Sequence, residues 1–317
     1  MLINLDKSEK KRAKRIINIF RKDFKSAKVF FTGDKTISVE NLKKGEAPAL
    51  FSQIKAVLPK SEIICSAEEL YPDAVKSKFS FDKKFEIIAG PCAVEDIKSY
   101  LKTASFLKSL GLKYIRGPIF KPRQSPYSFQ GLEEKGIEIL KEAKEKYSLK
   151  IVTEVLSAEQ TNKVRSYCDI FQVGAANMRN YPLLKTLSES DKPVLLKRAQ
   201  CATIKDWLSS AEYLAGKNKN IIFCERGDYP LFPESGVNFN LAGKIKKDFS
   251  LCVIADISHS SLGAEFVFPG ALAARYFGLD GIMVEIHENP QKSKVDGKHA
   301  LNFKDFEKLI KKIKSLG

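Results

Sequence analysis

The sequence predicts an α/β protein: a (β/α)8 TIM barrel preceded by a small α+β domain of the ferredoxin-like kind. Three observations lead there. From Phe81 onward, eight short apolar segments alternate with amphipathic ones. Before that, the segments read strand, helix, strand, strand, helix, strand. Nearly every strand of the second region also stops on a residue able to do chemistry. The length of 317 residues suits one barrel of roughly 250 residues plus a small extra domain.

In the first region, residues 1–76, Leu2–Leu5 is a short apolar strand, and Asp6 or Ser8 can cap the helix that follows. Lys28–Thr32 and Thr36–Glu40 read as strands joined at Gly33-Asp34. Ala47–Leu58 reads as a helix that stops near Pro59, and Ser61–Ser66 as a last strand. This β-α-β-β-α-β order is that of the split βαβ domain. The polar stretch Asp73–Lys78 reads as a linker.

In the second region, residues 81–317, the expected strands are Phe85–Ala89, Tyr114–Arg116, Lys150–Glu154, Ile170–Val173, Val194–Lys197, Ile221–Glu225, Leu251–Asp256 and Gly281–Glu285. Amphipathic stretches such as Ile97–Leu110, Gly136–Tyr147 and Thr203–Leu214 lie between them. Near-continuous apolar strands belong to a parallel sheet covered on both faces. Eight strand–helix units in roughly 230 residues fit a closed barrel better than an open sheet.

Composition narrows the class. Hydrophobic residues at 44% and charged residues at 29% are ordinary for a globular domain. No apolar run is long enough to span a bilayer. The stretch Met1–Leu5 is too short for a signal-peptide core, so the expected location is the cytoplasm. Six scattered cysteines (65, 92, 168, 201, 224 and 252) form no CxxC pair and no disulfide framework. The formal charge is +16. Residues 1–26 carry nine Lys/Arg against three Asp/Glu, interrupted by Ile16, Ile17, Ile19, Phe20 and Phe24. That is an amphipathic helix with a solvated basic face, not a nucleic-acid or membrane footprint. A positive field also steers anionic substrates inward.

The strand ends carry the functional reading. The first strand runs into Gly90-Pro91-Cys92, the second ends at Arg116, the third at Glu154 and the fourth beside Gln172. The fifth ends at Lys197-Arg198 and the sixth at Glu225-Arg226. The seventh ends at Asp256 and continues to His259; the eighth ends at Glu285, followed by His287. In a (β/α)8 barrel these tips face one mouth, where the active site lies. Charge at the end of a buried strand is paired or used. A structural salt bridge explains any one tip; a shared site explains the set. Arg116, Lys121, Arg123, Lys197, Arg198 and Arg226 suit a ligand bearing carboxylate and phosphate groups. Cys92, His259, Glu285 and Asp296 form a mixed S/N/O set consistent with divalent Mn, Fe, Co or Zn. His259 alone reads equally as a hydrogen-bonded core histidine, and spacing alone does not establish a metal.

From about Phe81 to Ile313 the chain resembles the 3-deoxy-D-arabino-heptulosonate 7-phosphate (DAHP) synthases, of the short type related to 3-deoxy-octulosonate 8-phosphate synthases. The stretches that carry this are Ile87–Cys92, Lys121–Leu132 (KPRQSPYSFQGL), Val152-Thr153-Glu154, Lys192–Arg198, Cys224-Glu225-Arg226-Gly227, Val284–His287 and Asp296-Gly297-Lys298. Residues 1–76 resemble the regulatory domain that some members carry. The resemblance implies a transferase that condenses phosphoenolpyruvate with erythrose 4-phosphate, giving DAHP and phosphate, the first step of the shikimate pathway and of aromatic amino acid biosynthesis. It implies metal ligation by Cys92, His259, Glu285 and Asp296. Phosphoenolpyruvate binding falls to Arg116, Lys121, Lys197 and Arg226 with Glu154 nearby, and aldose-phosphate contacts to Arg123 and Ser125. Lys121 becomes a candidate proton donor. It further implies an aromatic amino acid effector at the N-terminal domain and a homotetramer.

The chain departs from the family pattern at several points. Gln124 stands where the family has Thr, and Ala176 where it has a phosphate-gripping Arg; Arg179 is three residues further on. Asp256-Ile257-Ser258-His259 replaces Asp-Pro-Ser-His, Leu262-Gly263-Ala264 stands where an arginine pair often follows, and Asp228–Asn240 is atypical. Two other readings stand beside the first: a sibling synthase that uses another aldose or aldose phosphate, such as arabinose 5-phosphate, and a non-catalytic barrel with a binding or regulatory role.

Overall fold

The computed structural model describes residues 77–316 apart from 124, 229–235 and 261–262. Of the first 76 residues it describes 2–5, 9, 17–18, 20–25, 27–31, 36–40, 49–50, 53–54, 56, 58 and 62–64. The expected caps Asp6 and Ser8, the Gly33-Asp34 turn and most of the Asp73–Lys78 linker lie outside these. By internal contacts the chain divides into Met1–Lys76 and Ser77–Gly317.

The first unit contains β1 (Leu2–Asn4), β2 (Lys28–Phe31), β3 (Thr36–Glu40) and β4 (Glu62–Ile64). They form one sheet in the order β2-β3-β1-β4, with β1 antiparallel to both β3 and β4. Each strand pair bridged by a helical segment therefore runs parallel with one strand between, the geometry of a split βαβ domain. Described residues at 17–18, 20–23, 49–50, 53–54 and 56 are helical. Ile3, Phe20, Ile37, Leu50 and Ile54 close the core of this unit. Ile17, Phe20 and Phe24, which interrupt the basic run, thus face inward.

The second unit is a closed barrel of eight parallel strands, in the order β10-β11-β12-β5-β6-β7-β8-β9. They are β5 (Glu86–Gly90), β6 (Tyr114–Arg116), β7 (Lys150–Glu154), β8 (Ile170–Val173), β9 (Val194–Lys197), β10 (Ile221–Glu225), β11 (Cys252–Asp256) and β12 (Gly281–Glu285). The helices are α1 (Ile97–Ser109), α2 (Ile137–Tyr147), α3 (Ala158–Val164), α4 (Tyr181–Ser188), α5 (Ile204–Ala215), α6 (Phe239–Phe249), α7 (Val267–Tyr276) and α8 (Phe303–Ser315). The interior is filled by alternate strand residues, among them Ile88, Val152, Leu195, Ile222, Ile254 and Met283. Side chains alternate along a strand, so a residue at a fixed step from these is aimed into the mouth.

Helix starts follow local chemistry. Asp96 caps α1 by accepting from Ser99 N at 2.9 Å. Thr203 and Asp206 form a reciprocal capping box at α5. Gly90 has a reason of its own. Its φ is +146°, and an added Cβ would lie 2.5 Å from the Arg116 carbonyl oxygen. Only glycine lets β5 turn toward Cys92 while pressed against β6. No helix among the described residues is long and apolar enough to cross a membrane.

Candidate active site at the barrel mouth

Three strand ends bring Cys92, His259 and Glu285 together, with one potential ligand atom from each lying within 4.8 Å of the others. His259 Nε2 is 2.9 Å from Glu285 Oε1 and 3.6 Å from Cys92 Sγ. Asp296, on the loop after β12, completes the group: its Oδ2 is 3.2 Å from Cys92 Sγ and 4.0 Å from His259 Nε2. The four residues singled out from the sequence as metal candidates therefore converge.

The other side of His259 is fixed. Its Nδ1 lies 2.7 Å from Asp256 Oδ2, and its backbone N–H donates to Asp256 Oδ1 at 3.1 Å. That contact fixes the ring and turns Nε2 toward the cluster, the usual support of a metal-bound histidine. Burial alone would push His259 down, but the Asp256 and Glu285 carboxylates override it and hold the imidazole up at about 10. Burial, then Glu285, raises the Cys92 thiol. The donor set fits a borderline divalent ion: one sulfur, one imidazole nitrogen and two carboxylates, with Glu285 Oε2 buried and, among the described residues, lacking a hydrogen-bond partner.

Beside this cluster stands a wall of cations. Arg116 Nη1 donates to Glu285 Oε1 at 2.7 Å, both side chains being essentially inaccessible to solvent. Among the described residues its Nε and Nη2 have no partner. Lys121 Nζ lies 3.4 Å from Glu154 Oε2, which also accepts from Gln172 Nε2 at 3.2 Å. Burial works against the Lys121 charge, but Glu154 and then Cys92 outweigh it, and the ammonium is held above its ordinary value. Gly174 leaves room for this arrangement, since a Cβ there would sit 2.2 Å from Glu154 Oε1. Lys197 donates to Asp256. Arg226 Nη2 donates to the His259 carbonyl at 3.3 Å.

A cavity of about 200 Å³ gathers Lys121, Arg123, Glu154, Gln172, Lys197, Arg226, His259 and Asp296. A second, of about 340 Å³, shares Ala175, Ala176 and Arg226 with it and adds Arg179, Ala199 and Gln200. A larger cavity of about 920 Å³, lined by Ala264 and by residues between 288 and 305, contains none of the converging groups.

The chain belongs to the DAHP synthetase I family. The family model of that description matches residues 63–317. The phospho-2-dehydro-3-deoxyheptonate aldolase of Thermotoga maritima is 44% identical over 235 residues, covering 73% of this chain and 70% of that one. The 2-dehydro-3-deoxyphosphooctonate aldolase of Fusobacterium nucleatum is 33% identical over 253 residues, covering 74% and 90%. Among solved structures, the crystal structure of the Thermotoga maritima DAHP synthase superposes with a TM-score of 0.74 at 32% identity, over 99% of this chain and 95% of that one.

For this family member, some residues fall differently from the sequence reading. The sequence sets Arg198 among the ligand-binding cations. Instead its three guanidinium nitrogens are engaged by Glu225, Asp228 and the Ala202 carbonyl, so it is a structural pair. Ser125 is exposed, and its hydroxyl accepts from Tyr127 N at 3.3 Å instead of lining the cavity. Gln124 lies outside the described residues. Sequence reasoning passed over Asp256 as a partner of both His259 and Lys197, although its i,i+3 spacing to His259 was a usable signal.

Proposed function

We propose that this chain is a DAHP synthase. It condenses phosphoenolpyruvate with erythrose 4-phosphate, releasing inorganic phosphate, with a divalent Mn, Fe, Co or Zn ion held by Cys92, His259, Glu285 and Asp296. The observation that carries the reading is the convergence of those four side chains beside the cationic cavity, in a chain of this family.

Arg116 Nε and Nη2, Lys121, Lys197 and Arg226 hold the carboxylate and phosphate of phosphoenolpyruvate, so that its C3 faces the aldehyde. Holding both partners turns a bimolecular encounter into a positioned one. The bound metal would act as a Lewis acid toward the aldehyde oxygen. Lys121, kept protonated by Glu154, gives its proton to that oxygen as the C3–C1 bond forms. Water adds at C2, one of its protons restoring the Lys121 ammonium; the C2–O bond to phosphate then breaks, the second proton leaves with phosphate, and the product keto group results. Cys92 serves as a ligand and not as a nucleophile.

Arg123, 3.9 Å from Asp296 Oδ2, lines the cavity and meets the aldose phosphate. Arg179 takes the phosphate-binding role that an Arg at 176 has elsewhere in the family. The cavity that it shares with Arg226 supports this, as does its loose pairing with Asp206 at 3.6 Å. The sibling reading, with arabinose 5-phosphate as acceptor, is favoured by the likeness to the octulosonate enzymes and by Ala176. An assay of phosphate release over a panel of aldose phosphates separates the two. Turnover with a pentose phosphate and none with erythrose 4-phosphate would overturn the first choice.

The N-terminal unit binds an aromatic amino acid between neighbouring subunits of a homotetramer and mediates feedback inhibition in the cytoplasm. The split βαβ sheet supports a regulatory role. Deleting residues 1–76 should abolish inhibition by phenylalanine or tyrosine and leave activity.

A further inference from the structure

Asp296 differs from the other three converging residues. Cys92, His259 and Glu285 follow directly from strand ends, whereas Asp296 lies 11 positions beyond Glu285 on the loop before α8. Its φ is +52°, a conformation unfavourable for a residue with a Cβ. Its side chain is 33% exposed, against 14% for His259 and 1% for Glu285. Barrel geometry alone does not place it.

Glu95 sits three residues after Cys92, with its side chain 8% exposed. Its Oε1 accepts from Ser293 Oγ at 2.8 Å and from the Lys294 backbone N–H at 2.7 Å. Ser293 Oγ in turn lies 2.8 Å from the Val295 carbonyl and accepts from Val295 N at 3.3 Å. Glu95 Oε2 is 3.9 Å from His287 Nε2, and His287 Nδ1 accepts from Asn289 N at 3.0 Å. One carboxylate therefore gathers both ends of the loop, at 287 and at 293–294. Val295 packs on Cys92 and Ala93, and the next residue presents its carboxylate to Cys92 Sγ.

From this arrangement we infer that Glu95 is a positioning residue for the metal centre: it fastens the loop of Asp296 to the segment of Cys92, and so delivers the fourth ligand. This rests on the metal reading above. Glu95 acts through Ser293 and the loop backbone, not by touching the ion.

The test measures Zn²⁺ and Co²⁺ affinity by competition with a chromophoric chelator, in the full chain. Glu95→Ala should weaken binding about 10- to 100-fold, the size of effect that supporting residues of metal ligands have. Adding Asp296→Ala to Glu95→Ala should cost nothing further, because the same ligand is already lost. The Co²⁺ spectrum of Glu95→Ala should match that of Asp296→Ala while keeping the thiolate band of Cys92. Glu95→Gln, which retains an acceptor oxygen for Ser293 and Lys294, should recover most of the affinity. If Glu95→Ala does not fold, Ser293→Ala undergoes the same comparison. Wild-type affinity in these variants, or losses that multiply in the double variant, overturn the inference. If the wild-type chain takes up neither ion, the metal reading itself fails and the inference falls with it.

Discussion

Arg116 and Glu285 face each other at 2.7 Å from strands β6 and β12, neither with meaningful solvent access; among the described residues two polar atoms of Arg116 and one of Glu285 lack a partner. The pair is thus incompletely satisfied at the place where the cation wall meets the candidate ligands. Burial opposes the Glu285 charge, while His259 and then Arg116 hold its carboxyl well below the usual range.

Breaking this pair from one side should be expensive. Glu285→Gln in metal-free protein leaves Arg116 charged and buried, and should destabilise the barrel by about 3–5 kcal/mol. Replacing both, as Arg116→Met with Glu285→Leu, should cost less than the Glu285 change alone. Urea unfolding followed by barrel fluorescence distinguishes the two patterns.

Metal uptake should release protons. His259 is held at about 10 by its acidic neighbours in spite of burial, and the Cys92 thiol is raised. A metal ion must displace both protons, so affinity should climb as pH rises from 6 toward 9. Calorimetry in two buffers of different ionisation enthalpy gives the proton count directly. An affinity flat across that range would contradict this.

Arg179→Met should raise KM for the phosphorylated substrate roughly 10- to 100-fold, the equivalent of one charge-assisted hydrogen bond, with a smaller change in kcat. Ala176→Arg in the same background should restore part of the loss. Unchanged KM in Arg179→Met would leave Arg226 as the phosphate contact and remove Arg179 from the site.

Glu212 on α5 makes a separate prediction about stability. Burial holds its carboxyl up at about 7, and its Oε1 has no hydrogen-bond partner among the described residues. The folded state therefore binds this proton more tightly than the unfolded chain does. The stabilisation is complete below about 4.5 and disappears as pH rises through about 7. Glu212→Gln should flatten the fall in Tm between pH 5 and 8, as followed by calorimetry.

The strands were legible because buried parallel strands are apolar throughout and short. The expected Tyr114–Arg116, Lys150–Glu154 and Gly281–Glu285 coincide with β6, β7 and β12. The metal candidates were legible because they lie at or soon after strand ends. What the chain order hid was pairing between tips. Register sets Cys224 opposite Lys197, which brings Glu225 beside Arg198 and turns a presumed ligand cation into a structural one. Lys197 meets Asp256 across 59 positions, and no local pattern signals that. Glu95 escaped notice for a similar reason. It lies in a loop with no periodicity, and its hydroxyl partner is 198 positions away.

Asp256 touches both walls of the mouth, Lys197 on one side and His259 on the other. Occupancy on either wall must alter the charge felt on the other. An anion that draws Lys197 away leaves Asp256 freer to support His259, and so strengthens its ligation. Coupling of this kind is reciprocal: whatever factor phosphoenolpyruvate adds to metal affinity, the metal returns to phosphoenolpyruvate. The two components of the reaction centre would then assemble cooperatively through a single carboxylate that touches neither reacting carbon.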